Sequence, residues 1–426
     1  EKLSGVDQIS YTYDQGSYGK GQLTFADYGG NNKKYYNYDI FGRLVNSTTT
    51  IENENFSMDF EYNLSGDVTK IVYPNDWQVI YNYNSVGQVD EVQLDKGAGP
   101  ITLVENIEYN ANGQMTHFER SNGVDTTYTY DPDQNYRLTD LETTDGVDML
   151  QDLNYSYDSV GNITQINDDS DTDLAKVVWY DYDDLNRLAS STVNYLGHPA
   201  DNYSRQYQYD EVGNMTYHSE LGTMNYDNDN PHQLSGYGTR TFVYDDAGNM
   251  THNGGFAKFA WDHRSRLKST YDIASEDSTY YKYDHNNQRF IKYTERYVWV
   301  PPDIEDPYVE MRAMTSKVGG GGYYELRRVK EDKYVDGYFE KNLGDHTRTH
   351  INLGSMKIAT AKDTSDPYFI LSDHLNSSTI ITDNSGNVAE ISDYAPYGTE
   401  AYSDVTQDVG DDYTFTGQEY DEESSL

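Results

Sequence analysis

Apolar and polar residues alternate in short runs along most of the chain, with aromatic residues on one phase. Examples are YNYD at 36–39, YSYD at 155–158, YQYD at 207–210 and YKYD at 281–284. A period of two with one phase buried is the pattern of a β-strand. Each run leads into Asp-x-x-Gly, where Asp favours turn initiation and Gly supplies the positive φ that closes a turn. A hydrophobic residue follows, then a polar Thr/Ser-rich stretch suited to a returning strand, such as LVNSTTTI at 44–51 or LASSTV at 188–193. The unit so described is a β-hairpin. No stretch carries a clean 3.6-residue period, so the pattern predicts an all-β chain.

The hairpin recurs. Full copies place Tyr38, Asp39 and Gly42 in YDIFGRL, Tyr157, Asp158 and Gly161 in YDSVGNI, Tyr209, Asp210 and Gly213 in YDEVGNM, and Tyr244, Asp245 and Gly248 in YDDAGNM. Looser copies include YNLSGDV (62–68), YNSVGQV (83–89), YNANGQM (109–115), YDPDQNYRL (130–138), YDDLNRL (182–188), WDHRSRL (261–267) and YDHNNQRF (283–290). The Asp-to-Asp spacing of roughly 17–27 residues falls in the range of repeat arrays. One hairpin cannot bury its apolar face alone, so neighbours must pair edge to edge into a long antiparallel sheet that twists and coils. Tyrosine suits the inner face of such a sheet, because its ring packs while its hydroxyl bonds to water or an adjacent repeat. Each Tyr-Asp pair therefore reads first as a structural device.

Composition narrows the function. The chain of 426 residues has 44 tyrosines against 12 phenylalanines, and a formal net charge of −41. Low hydrophobicity with high net charge ordinarily signals disorder, but the aromatic strand periodicity argues against it. Nucleic-acid binding needs clustered cations, which this balance opposes, and anionic membranes are disfavoured for the same reason. A basic protein partner, metal cations or a saline setting remain compatible. There is no cysteine, so disulfides and thiolate metal sites are ruled out. No run approaches the ~18 apolar residues of a membrane span, and no signal peptide is present. The sequence opens on Glu1 rather than Met, which implies processing or a piece of a longer protein.

Three sections follow one another. Residues 1–290 form the hairpin array, with breaks at 97–100 and 167–173; DNDNPHQL at 227–234 reads as a repeat whose Gly turn is replaced by Asn-Pro. Residues 291–350 are a transition with a Pro-Pro turn at 301–302, a glycine-rich tip at 317–322 and a basic patch at 324–339. That glycine run lacks the Lys-Ser/Thr and helix of a phosphate loop. Residues 351–426 hold two hairpin-like units with turns at 373–377 and 383–386, then a sharp Tyr-x-Pro-Tyr-Gly turn at 394–398.

These residues carry a resemblance. The YDxxGN/R array followed by SDHLNSSTIITDNSGNV, YAPYG and FTGQEYDEES is similar to the Rhs/YD-repeat family and its Rhs-associated core. The family includes bacterial Rhs polymorphic toxins, Tc toxin C subunits and teneurin YD shells. The core residues that match are Asp373, His374, Asp383, Gly386, Tyr394, Pro396, Gly398, Thr416 and Gly417. Here Asn376 stands in the glycine slot of the usual DHLGS, a conservative change because Asn tolerates left-handed geometry. The family's TG at the end of DEETGL is replaced by Ser424 and Ser425. The resemblance implies a β-strip spiralling into a hollow shell, with the core plugging one end around a C-terminal toxic domain. Family members free that domain by an aspartyl-type self-cleavage. Its Arg and two Asp would lie beyond Leu426, so no catalytic residue carries over.

Other chemistry is thin. His346 and His350 have the i,i+4 spacing that on a helix would gather two zinc ligands, but their context is not helical. The Asp-rich turns at 167–173 and 225–230 could bind Ca²⁺ through oxygen ligands, although neither matches an EF-hand. The expectation is a non-enzymatic shell segment of a secreted or cell-surface bacterial protein, without an obligatory cofactor. Its partner would be a C-terminal effector or cargo, basic if the acidic wall holds it electrostatically. The alternative is an extracellular self-assembling or adhesive, carbohydrate-binding module, since an unclosed strip leaves edge strands free to pair.

Overall fold

The computed structural model describes residues 9–300, 317–319, 322–407, 409 and 413–420. The Pro-Pro turn, part of the glycine-rich tip and the final DEESSL lie outside the described residues. Those that are described form strands joined by tight turns, with only single-turn 3₁₀ segments beside them. The all-β expectation is met.

Strands pair antiparallel with their neighbours in sequence, as Tyr203–Tyr209 does with Leu188–Tyr195 and with Met215–His218. The long strand Arg289–Val300 pairs with Gly322–Val335. Among the described residues no pairing returns from a late strand to an early one, so the sheet is open and not a closed barrel.

The repeat fixes its own register. The Tyr of each unit lies opposite the hydrophobic residue six positions on: Tyr38 with Leu44, Tyr157 with Ile163, Tyr209 with Met215, Tyr244 with Met250. A register shift precedes each of these pairs, which marks a bulge at the foot of the hairpin. A type I turn closed by a left-handed residue makes that bulge. Gly213 takes φ 96° there, and Asn186 in YDDLNRL takes φ 59° in the same slot.

By its contacts the chain divides into two compact units. The described residues of Glu1–Met58 and Asn225–Arg348 form one, and those of Asp59–Met224 and Thr349–Tyr420 the other. Each unit therefore joins part of the repeat array to a later stretch of chain.

In the second unit the later stretch runs along the buried face of the repeats in matching order. Tyr73 donates to the carbonyl of His350 at 2.9 Å and Tyr81 to that of Asn352 at 2.8 Å. Arg120 donates to the carbonyl of Ile370, and Gln151 to Thr379 Oγ1 at 2.9 Å. Tyr195 then reaches Asp393, and Tyr209 reaches Tyr397. Between the two layers pack Val124, Leu150, Leu174, Leu371, Ile380 and Ile391.

In the first unit the strand Gly322–Val335 brings its cations to acids. Arg328 meets Glu52 and Glu331, and Lys333 lies 2.9 Å from Glu54. Lys34 pairs with Asp336. The basic patch of the sequence is thus consumed internally.

Tyrosine lines the interior at Tyr155, Tyr195, Tyr207 and Tyr281, but shares it with apolar side chains. Tyrosine does not fill the deepest layer: the largest fully buried side chains are Phe118, Phe369, Leu94, Leu141, Ile291, Ile351 and similar residues, with Tyr73 among them. A phenol hydroxyl needs a partner when buried. The repeat tyrosines accordingly sit at half-buried seams where a carbonyl is in reach.

Candidate functional site

The turn is the element the sequence specifies most closely. Asp183 Oδ1 accepts the backbone N–H of Leu185 and of Arg187, both at 2.9 Å, and its Oδ2 takes the Arg187 guanidinium at 2.7 Å. Where the turn ends in Gly-Asn an Asn side chain replaces the guanidinium, whereas the Gly42-Arg43 copy keeps it on Asp39 at 2.7 Å. Asn214 Nδ2 donates to Asp210 Oδ2 at 2.7 Å, and Asn249 does so to Asp245 at 3.0 Å. The N–H of Arg187 and its guanidinium hold the Asp183 carboxyl below the usual carboxylate range. Asn249 does the same for Asp245 through side chain and backbone. Hydrogen bonds to the ionised form favour it.

The tyrosines tie one hairpin to the one before it. Tyr38 donates to the Leu23 carbonyl, Tyr157 to Leu138, Tyr182 to Ile163, Tyr209 to Leu188 and Tyr244 to Leu234, at 2.6–2.9 Å. The accepting residue is the hydrophobic one that follows the preceding turn. Even DNDNPHQL keeps this role for Leu234, although its turn is longer. Where the repeat begins with Trp261, Nε1 donates to Met250 at 2.6 Å. The Asp and Gly of each repeat thus shape its own turn, while the Tyr fixes the spacing of turns.

The core motif reuses the same turn. Asp373 Oδ1 accepts from the N–H of Leu375 and Ser377 at 2.8 Å, and Asn376 takes φ 64° in the glycine slot. Asp383 accepts from Ser385 and Asn387, and Gly386 has φ 85°. A Cβ on Gly386 would stand 2.9 Å from the Asn122 carbonyl, so this turn is pressed against the repeat layer. Pro396 opens a 3₁₀ turn over Pro396–Gly398 that contains Tyr397 at φ 69°. Gly398 leaves room for Phe415, whose Cδ1 lies 2.8 Å from where a Cβ would be. Thr416 and Gly417 turn left-handed beside the Asp373 turn, with the Thr416 N–H donating to Ser377 Oγ at 3.2 Å. Apart from the Asp383–Gly386 turn, which lies against Asn122, the motif residues converge, and Tyr394 packs 5.9 Å from Phe415.

Behind these turns, within the second unit, is a cavity of about 500 Å³. Its walls are largely tyrosine and aliphatic, including Tyr155, Tyr180, Tyr203, Tyr394 and Leu153, with Asp168, Lys176, His374 and Asp393 as polar members. Burial pushes Asp168 up to about 6, and lowers the His374 imidazole from its ordinary value against the pull of Asp373. Lys176 lies 2.9 Å from Asp393, which also takes the Tyr195 hydroxyl. The Tyr155 hydroxyl and His374 Nδ1 are buried without hydrogen-bond partners among the described residues, with the two rings 5.0 Å apart. The arrangement can hold an apolar or aromatic group, with a few polar atoms to orient it.

Sequence reasoning missed Lys176, Tyr195 and Asp393, and met Asp168 only as one acid of the 167–173 turn. The strands of Lys176 and Tyr195 pair at those two residues, but Asp393 comes from far along the chain, a meeting no spacing rule shows. His346 sits in a hairpin turn; His350 is buried, edge-on to Tyr413 at 5.1 Å. The acids of the 167–173 loop serve separate partners: Asp168 takes the Ser170 N–H, Asp171 the Met149 N–H, and Asp173 faces His198 at 3.1 Å. In the other acidic turn, Asp227 accepts from the N–H of Asp229 and Asn230. Among the described residues the grouping of potential metal ligands is elsewhere, at His117, Glu119 and Asp125.

No protein-family model matches the chain. Two curated relatives do, both from Yersinia entomophaga. Toxin subunit YenC2 is 26% identical over 298 residues, 55% of this chain and 30% of the relative. Toxin subunit YenC1 is 28% identical over 246 residues, 46% and 25% respectively. The chain thus matches less than a third of the length of either relative. Among solved structures, the crystal structure of TcdB2–TccC3–Cdc42 aligns with 97% of this chain and 23% of its own, at a TM-score of 0.79 and 18% identity. A structure of the Photorhabdus luminescens Tc holotoxin pore covers 98% and 22%, at a TM-score of 0.76 and 18% identity. The resemblance read from the YD turns and the core motif agrees with both comparisons: the chain is similar in sequence to Tc toxin subunits and has the Rhs/YD-repeat fold.

Proposed function

We propose that this chain is a wall section of a protein shell that encloses a C-terminal toxic effector, as the family resemblance implies. The observation that carries the reading is the layered second unit. The repeat strip is lined along its buried face by the core segment in matching order, from Tyr73 on His350 to Tyr209 on Tyr397. A two-layer sheet excludes water and proteases from its far side, so its role is steric isolation. On this reading the chain is a secreted or cell-surface bacterial component, performs no chemistry on an external substrate, and needs no cofactor. The acidic excess of the chain, on this reading, suits a basic cargo. Among the described residues no helix is long and apolar enough to cross a membrane.

A second reading, self-assembly, rests on a different observation. The fourth position of the repeat turn is often aliphatic or aromatic and exposed, as at Phe41, Val86, Val160, Leu185 and Val212. Rows of apolar tips favour association.

Cryo-electron microscopy of the native protein that contains this chain, with mass spectrometry of both termini and limited proteolysis, separates the two. A monomeric closed particle that protects a C-terminal segment from protease supports encapsulation. Concentration-dependent polymers without protected cargo overturn it in favour of assembly.

A further inference from the structure

The strands Met115–Arg120 and Asp125–Asp131 form one hairpin, in which Glu119 stands directly opposite Asp125 and His117 opposite Thr127. Alternation puts His117, Glu119, Asp125 and Thr127 on one face, while Phe118, Arg120 and Thr126 on the other are buried in the core. Two carboxylates facing each other across a strand pair destabilise a hairpin unless something positive lies between them. The cross-strand partners on that face, among the described residues, add no cation: Glu105 pairs across from Glu119 on the adjoining strand, Glu108 across from His117, and Glu142 across from Thr127.

His117 stands between the two acids. Its Nδ1 lies 3.2 Å from Asp125 Oδ1 and its Nε2 3.6 Å from Glu119 Oε1. Asp125 Oδ1 is shielded from solvent, yet accepts no hydrogen bond among the described residues. One ligand atom from each of the three side chains lies within 4.8 Å of the other two. A tetrahedral ion with bonds of about 2.0–2.2 Å needs ligand atoms roughly 3.4 Å apart. The acids face different ring nitrogens of His117, so side-chain rotation has to bring both to one nitrogen while the strand pair fixes the backbone.

We propose that His117, Glu119 and Asp125 form a binding site for a divalent transition metal ion, of which Zn²⁺ is the type. One imidazole with two carboxylates matches a borderline ion and disfavours Ca²⁺ or Mg²⁺, which take oxygen ligands only. The ion supplies the positive charge between Glu119 and Asp125 and gives Asp125 Oδ1 a partner. Three protein ligands leave a fourth position for water or a neighbouring carboxylate such as Glu105 or Glu142. The site lies on the solvent-facing side of the sheet and is independent of any encapsulation role.

The test is titration of the chelator-treated, tag-free protein with Zn²⁺, followed by calorimetry and native mass spectrometry, with Co²⁺ absorption as a report on coordination. The expected result is one equivalent bound per chain and a tetrahedral Co²⁺ spectrum, with Ca²⁺ in excess failing to compete. H117A, E119Q and D125N should each weaken binding at least about tenfold, while H263A, at an exposed histidine elsewhere, leaves it unchanged. Zn²⁺ should raise the Tm of the wild type and not that of H117A. Circular dichroism of the metal-free variants checks that each remains folded. No stoichiometric binding, or equal binding by H117A, overturns the proposal.

Discussion

Arg187 and Tyr209 are bound to each other's hairpins in both directions. The Tyr209 hydroxyl donates to the carbonyl of Leu188, the residue after Arg187, at 2.9 Å. Arg187 Nη1 donates to the carbonyl of Asp210, the residue after Tyr209, at 3.0 Å, and its guanidinium lies 4.7 Å from the Tyr209 ring centroid. The same stacking joins Arg137 to Tyr157 and Arg266 to Tyr283. Y209F should cost about 1–3 kcal/mol, the net worth of two hydrogen bonds, because the hydroxyl also meets that of Tyr397 at 2.6 Å. R187K should cost more than its formal conservatism suggests, because a lysine cannot stack flat while also holding Asp183 and the Asp210 carbonyl. Chemical denaturation of both single variants and the double variant should give a coupling of about 0.5–1.5 kcal/mol. Additive losses would show that the two ties act separately.

How much of this was legible in the sequence differs from residue to residue. Tyr, Asp and Gly of the repeat are local devices whose roles follow from strand periodicity and turn chemistry. The all-β array and its register could be read because the Tyr-to-hydrophobic interval is constant. The target of the Tyr hydroxyl could not: the Leu188 carbonyl is 21 residues from Tyr209, and which repeat it meets depends on how strands stack. The core motif was legible as turns, but not the closeness of Gly398 to Phe415. The possible metal ligands were hidden for a related reason. His-x-Glu on one strand and an Asp past the Asn122–Gly123 turn become neighbours only when the register is known.

Glycines of equal φ should differ in what they tolerate. Gly213 and Gly398 have φ 96° and 88°, yet a Cβ on Gly213 would meet open space and one on Gly398 would strike Phe415. G213A should therefore cost only the left-handed penalty, about 1–2 kcal/mol. G398A should cost that and the displacement of Phe415 from Tyr394, and should loosen the Thr416 turn that docks on Ser377. Hydrogen exchange of the Thr416 amide distinguishes the two: protection should fall in G398A and stay unchanged in G213A. Equal behaviour would remove the packing role assigned to Gly398.

Asp393 joins the later stretch of the second unit to two strands of the repeat layer. It is 8% exposed and receives both Lys176 and the Tyr195 hydroxyl. D393A takes from Lys176 its contact at 2.9 Å and leaves it only the charge of Asp168 across the strand pair, a loss expected at about 2–4 kcal/mol. The compensating double variant D393L/K176M, made on a D168N background so that no buried carboxylate loses its cation, removes both charges and should recover most of that loss. Thermal unfolding of the three proteins is the check. Failure of the double variant to recover would mean that Tyr195, not Lys176, is the partner that matters.

Acid should first stabilise and then unfold the chain. Asp168 is buried beside the cavity, and desolvation, only partly offset by Lys176, raises it to about 6. Its folded form thus holds a proton that the unfolded form releases near pH 4, so this group lowers stability as pH rises from about 4 to 6. The penalty persists above 6. On the scale of 1.36 kcal/mol per unit it is of order 1–3 kcal/mol. The turn aspartates act oppositely. Asp183 and Asp245 lie below their ordinary values, so their contribution is present above the unfolded value near 4 and disappears as pH falls through the folded one. The Tm should therefore climb from pH 7 toward about 4.5, helped by relief of repulsion within a chain of net charge −41. Below pH 4 it should drop as turn after turn protonates. D168N, which keeps the shape and loses the ionisation, should raise the Tm at pH 7 and flatten the climb without moving the acid limb. If D168N shows the same rise as the wild type between pH 7 and 4.5, charge repulsion alone accounts for it.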